Sequence, residues 1–251
     1  MKLSISGKHA TRAALTAAML AAAGGANASL VLLGSIDMTG TGLGNVPTVL
    51  TLQSPGSSTS EQGSVAWNGT SNIVTGDTQA INTTRTLAEA GATAASNLRI
   101  VFNPNEPGNT GDNSITLNSL TMTIYSPNGA SLFSANLAPA GSTETALNFS
   151  STQVGTGRSG FVFGLDAAQQ AAATQAGAFA GAFQNNRIGL ASSLTNAQGA
   201  IDTFFVGNQG GNPGSGGLPP LVGPIPEPGT MAMLATGLLA MGGIARRRKS
   251  M

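Results

Sequence analysis

Apolar residues alternate with short polar ones along most of this chain, the period of strands standing on a packed layer. Leu30 to Ile36 reads as a buried strand, and Val46 to Leu52 as a second. Pro47 argues for an edge position there, because proline cannot donate to a ladder. Ser54 to Gly63 reads as a Ser/Pro/Gly loop. Ser64 to Trp67 and Asn72 to Thr75 predict short strands around a turn at Asn68-Gly69, and Leu98 to Phe102 a firm one. The clearest alternation runs from Ile115 to Tyr125. Leu120, Met122 and Ile124 share one face, whereas Ile115 and Leu117 have the opposite parity, so a bulge is expected near Asn118-Ser119. Ser126-Pro127-Asn128-Gly129 then turns the chain into Ser131 to Asn136, completing a hairpin. Thr145 to Phe149, Gly160 to Leu165, Arg187 to Leu194 and Ile201 to Val206 predict the remaining strands.

Two segments depart from the strand period. Leu87 to Ala92 suits a helical turn. Asp166 followed by Gln169 resembles a capping box, and the Ala-rich run Ala167 to Phe183 predicts a helix. Phe179 and Phe183, four residues apart, would lay one stripe of that helix on a sheet, with Gly177 and Gly181 weakening it. The expected fold class is therefore all-β: a jelly-roll-like β-sandwich with one covering helix, over residues 29–206. Residues 207–225, rich in Gly, Pro, Asn and Ser, predict an exposed linker.

The two ends are of another kind. Lys2, Lys8 and Arg12 precede the apolar run Ala13 to Ala23, and Ala26-Asn27-Ala28 supplies an A-x-A cleavage site before Ser29. Residues 1–28 thus read as a secretory signal peptide, whose apolar run is too short to span a hydrocarbon core of ~30 Å. At the other end Pro226-Glu227-Pro228 is followed by an apolar run from Gly229 to Ala245 and by Arg246-Arg247-Arg248-Lys249. As a helix of 1.5 Å rise the apolar run would cover ~25 Å, enough for a thin bilayer. The basic cluster would stay on the cytoplasmic side and leave the body outside.

Charge and composition narrow the chemistry. Charged residues make up only 8% of the chain, against about 25% in an average soluble domain. Between the two ends the cations are Arg85, Arg99, Arg158 and Arg187, set against nine acids, and there is no lysine. Nucleic-acid binding requires clustered Lys and Arg to displace phosphate counterions, so that class is excluded. Cysteine is absent, and the single histidine, His9, lies in the signal segment. A mature body without His, Cys or Lys has no Ser-His-Asp or Cys-His catalysis, no Schiff base, and no zinc, copper or haem ligands of the usual kind. It reads as non-enzymatic, and no cofactor is expected. Two convergent carboxylates would be the one route to a carbohydrate-active enzyme, although isolated acids in such a chain read as solvated turn residues. The loop from Asn103 to Asn113, with Asn105, Glu106 and Asp112, gathers oxygen donors that suit calcium, but Asn, Asp, Gly and Pro also fill ordinary turns.

The tail carries a resemblance. Ile225-Pro226-Glu227-Pro228-Gly229-Thr230, the apolar run and the arginine cluster, in that order at the C-terminus, resemble a PEP-CTERM sorting signal, over residues 226–251. The resemblance implies recognition of Pro226, Glu227 and Pro228 by an exosortase, a membrane-embedded transpeptidase. It implies a transient stay in the inner membrane through a C-terminal transmembrane helix, then delivery to the cell surface or extracellular matrix. Such proteins accompany exopolysaccharide and biofilm production. The expected function is an exported, non-enzymatic surface or matrix protein. A polysaccharide- or calcium-binding module and a secreted carbohydrate-active enzyme are the alternatives.

Overall fold

The computed structural model describes residues 30–38, 46–106, 114–137, 146–149, 159–209 and 218. In chain order the strands are β1 (Leu30–Asp37), β2 (Thr48–Leu52), β3 (Ser60–Trp67), β4 (Asn72–Gly76), β5 (Arg85–Thr86) and β6 (Leu98–Asn103). They continue as β7 (Ile115–Tyr125), β8 (Ser131–Asn136), β9 (Leu147–Phe149), β10 (Ser159–Leu165), β11 (Arg187–Thr195) and β12 (Asp202–Asn208), with helix α1 (Ala167–Gln175) between β10 and β11. They form two sheets. A five-stranded one has the order β1-β10-β6-β12-β2, and a seven-stranded one has the order β4-β3-β11-β7-β8, with β5 beside β11 and β9 beside β7. Every pairing is antiparallel. The all-β sandwich expected from the alternation is the fold observed. The strand carrying the Pro47 signal, β2, is indeed an edge.

The parity change in β7 has the expected cause. Ser193 pairs with Ser119, but Leu194 pairs with Leu117, so Asn118 is the extra residue of a bulge. The bulge keeps Ile115, Leu117, Leu120, Met122 and Ile124 all on the buried face. The two Asn-Gly turns also depend on each other. Gly69 (φ +96°) and Gly129 (φ +85°) bring their turns backbone to backbone, and a Cβ at Gly69 would lie 2.5 Å from the Asn128 carbonyl oxygen. Glycine is required there by both conformation and space.

Three expectations need correction. First, β3 begins at Ser60 rather than Ser64, which takes Glu61 out of the expected loop and into a strand. Second, the helix ends at Gln175, well short of Phe183. Its start is as expected, with the Gln169 amide donating to Asp166 Oδ1 at 2.8 Å. Its end is a Schellman motif: Gly177 (φ +76°) sits past the cap, the Ala178 amide donates to Ala173 O, and the Gly177 amide donates to Thr174 O. Phe179 and Phe183 therefore leave the helix, yet their rings still meet at 5.6 Å and pack against the core. Third, β12 continues through Gly207 and Asn208, and Leu218 is held to the body. The Leu218 amide donates to Asn208 O at 3.1 Å, so the segment expected as exposed linker is partly docked.

The core lies between the sheets. Phe102 stacks on Phe204 at 4.8 Å between ring centroids and Phe149 on Phe161 at 3.9 Å; Phe102 also contacts Phe149 and Phe161. A second, smaller cluster covers the outer face of the five-stranded sheet. There Ile36, Met38, Val101, Val162 and Phe205 are buried with Val46 and Leu218 packed on them. This sheet is buried on both faces, which explains why β2, β6, β10 and β12 read as almost continuous apolar runs.

Phe102 is fully buried and touches three other rings. Phe102→Ala is expected to cost about 3–5 kcal/mol, read as a shift of the urea unfolding midpoint with little change in slope. Asp166→Ala, which removes the helix cap, should cost only about 1 kcal/mol in the same measurement.

Candidate functional site

Inward-facing positions of strands are normally apolar, and three such places in this sandwich hold carboxylates. Glu61 pairs with the core residue Leu194 across β3 and β11 and shares the inward face with Val65. Asp202 opens β12 with the parity of Phe204 and Val206, both in the inter-sheet core. Glu106 follows β6 and is buried within the oxygen-rich segment that reads as suiting either calcium or an ordinary turn; Asp112 of that segment lies outside the described residues. Glu61, Glu106 and Asp202 are 2%, 1% and 0% exposed. The reading of the body's acids as solvated turn residues is thus wrong for three of them. It holds for others: Asp77 accepts the Gln62 amide at 2.9 Å, and Glu89 closes the turn after β5 by accepting the Thr86 amide while meeting Arg85 at 3.3 Å.

The three acids are unequally satisfied. Asp202 Oδ1 accepts the Asn105 amide at 2.8 Å, and Glu106 Oε2 accepts the Gln198 amide at 2.9 Å. Asp202 Oδ2, Glu106 Oε1 and both oxygens of Glu61 meet no N–H or O–H donor. The Glu61 and Asp202 side chains lie near enough to act on each other's ionisation. Two carboxyl groups approach that closely in a dry interior only if one carries a proton.

The electrostatics agree. Burial first, then the Asp202 carboxyl and the charges of Asp202, Glu106 and Asp77, push Glu61 up to about 10. Burial pushes Asp202 up to about 6, partly offset by the bonds from Glu61 and the Asn105 amide. Burial and the Asp202 charge raise Glu106 to about 7 against the pull of the Gln198 amide. Among the described residues no three His, Cys, Asp or Glu side chains are grouped so as to hold a metal ion.

The rest of the polar surface is different in kind. On the outer face of the seven-stranded sheet, hydroxyls and amides bond across strands: Ser119 with Ser193 at 2.7 Å, Thr121 with Asn136 at 2.8 Å, and Ser64 with Thr75 at 2.8 Å. A depression of about 360 Å³ opens beside the start of β3 and the end of β11, lined by Ser58, Gln62, Asp77, Asn118 and Thr195 and also by Glu61 and Leu194. Trp67 is engaged with its own sheet rather than offered as a sugar platform. Its indole N–H donates to Pro127 O at 2.8 Å, and the Arg187 guanidinium lies 4.3 Å from its ring centroid.

The residues expected to direct processing, Ala26, Ala28 and Ser29, Pro226 to Pro228, and Arg246 to Lys249, lie outside the described residues, as do the expected signal peptide and C-terminal transmembrane helix. Among the described residues no helix is long and apolar enough to cross a membrane. The decisive finding for this end of the molecule is a match of residues 224–249 to the PEP-CTERM protein-sorting motif. The chain carries a PEP-CTERM sorting domain. That motif is the mark of an exported protein addressed to an exosortase, which agrees with the order of motif, apolar run and arginine cluster. No curated protein and no solved structure matches the chain. The PEP-CTERM motif accounts for the tail, while the body stands on its own geometry.

The Glu106 carboxylate accepts the Gln198 amide at 2.9 Å and ties the segment after β6 to the turn between β11 and β12, so shortening its side chain should be felt. At pH 5, Glu106→Ala is expected to cost about 1 kcal/mol through loss of that bond, whereas Glu106→Gln, which keeps an acceptor, should cost less. Parallel urea titrations of both variants check this.

Proposed function

We propose that this chain is a non-enzymatic surface or extracellular-matrix protein. It is made as an inner-membrane precursor, cut at its C-terminal signal by an exosortase, and released into an exopolysaccharide or biofilm matrix. The observation that carries this reading is the sorting motif at 224–249. In this reading Pro226, Glu227 and Pro228 are the recognition residues, and Arg246 to Lys249 hold the precursor with its basic end in the cytoplasm. Ala26 and Ala28 direct removal of the signal peptide before Ser29.

The body supports a structural role. Residues 29–206 contain no His, Cys or Lys, and Glu61 and Asp202 are almost wholly withdrawn from solvent. A glycosidase needs its carboxylates roughly 5–9.5 Å apart with substrate between them. A second reading, a polysaccharide-binding module, is favoured by the uncharged hydrogen-bonding lattice and the depression beside Asn118 and Asp77.

Glu227→Ala is expected to leave the full-length chain in the inner membrane. Mass spectrometry of the extracellular wild type should find ends near Ser29 and Pro226. Release of the variant in unchanged amount and length would refute cleavage at this motif. A glycan-array screen of the released protein, with and without calcium, decides the second reading, and a clean negative in both conditions removes it.

A further inference from the structure

We propose that Glu61, Asp202 and Glu106 form a buried proton-binding clasp between the two sheets, which locks the sandwich in acid and loosens it in alkali. The partners come from separate elements: Glu61 from β3 of the seven-stranded sheet, Asp202 from β12 of the five-stranded sheet, and Glu106 from the segment after β6. Four of their oxygens meet no donor while their side chains are almost wholly excluded from water. An uncompensated buried carboxylate is costly, and a neutral carboxyl group bonded to a carboxylate removes both the charge and the missing donor at once. A bound proton therefore supplies what the surrounding backbone does not.

Among the described residues the groups acting on the clasp give it no counter-charge. Asp202 faces Glu61 from β12, Glu106 from the segment after β6, and Asp77 from the end of β4. From β11 the cross-strand neighbour of Glu61 is Leu194, and from β2 the neighbour of Asp202 is Leu52. Among the described residues no arginine contributes to the balance at Glu61, Asp202 or Glu106. Three raised acids on opposing layers mean that the folded state keeps protons that the unfolded chain gives up near 4.5 for the two glutamates and near 3.8 for the aspartate. By linkage the stabilisation is complete below about 3.8 and declines as pH rises through the folded values of Asp202, Glu106 and finally Glu61, each retained proton being worth up to tenfold in the folding equilibrium per pH unit. An exported protein meets the pH of its surroundings directly, so the clasp couples the firmness of the body to that pH.

The test uses the full-length chain in detergent. From pH 5 to pH 8 the folding equilibrium should fall at least tenfold, a drop of about 3–6 °C in melting temperature for a chain of this size. Glu61→Gln, a neutral isostere that can donate to Asp202, should flatten this dependence and be at least as stable as the wild type at pH 8. The infrared band of a protonated carboxyl group should persist in the wild type at pH 7.5; this measurement needs no variant and stands even if Glu61→Gln fails to fold. Equal or greater stability at pH 8 than at pH 5, or absence of that band, would overturn the proposal. So would a rise in melting temperature with millimolar calcium at pH 8 that Glu61→Gln abolishes, since the clasp would then be a metal site.

Discussion

Burial between the sheets is the constraint on which the rest of this molecule depends. A chain without cysteine cannot be stapled, and the one ion pair among its described residues is an exposed contact between Arg85 and Glu89, of a kind worth little. What remains is the layer formed by Phe102, Phe149, Phe161 and Phe204, joined by aliphatic residues from both sheets. Each device seen elsewhere serves that layer. The bulge at Asn118 keeps β7 facing it, the glycine pair of the two meshed turns lets β3 and β7 converge on it, and the Schellman motif after α1 releases Phe179 and Phe183 to close its side.

The two sheets solve the problem of their outer faces differently. The five-stranded sheet is apolar on both sides and must be covered, which the chain does with Val46, Met38 and Leu218. The seven-stranded sheet is amphipathic, and its outer hydroxyls and amides satisfy one another across strands. Neutral polar ladders of this kind keep the surface wettable without charge, consistent with a body that is only sparsely ionic. The carboxylates withheld from that surface are the ones enclosed beside the core.

How much of this the sequence discloses depends on how local each feature is. The bulge could be read from the opposed parities of Leu117 and Leu120, the edge strand from Pro47, and the helix start from Asp166 and Gln169, because each rests on neighbours in the chain. The sorting tail is legible for the same reason: its three parts form one linear order. The helix end was misjudged because a run of alanines has high propensity throughout, and one left-handed glycine outweighs it. The clasp was missed because it exists only where three distant segments meet. A partial signal was present, since Asp202 shares the parity of Phe204 and Val206 and so had to point inward. Glu61 gives none, because Ser54 to Gly63 reads by composition as a loop; with β3 beginning at Ser60, its parity with Val65 places it inside.

The docking of Leu218 gives the molecule a leash of definite length. Its amide is bonded to Asn208 and its side chain packs against the outer cluster of the five-stranded sheet. From residue 218 to residue 226 there are eight residues, which fully stretched reach no further than ~28 Å at about 3.5 Å each. Whatever grips Pro226 to Pro228 therefore works within that distance of Leu218. The rim of the five-stranded sheet around Leu218 is the part of the body nearest to hand.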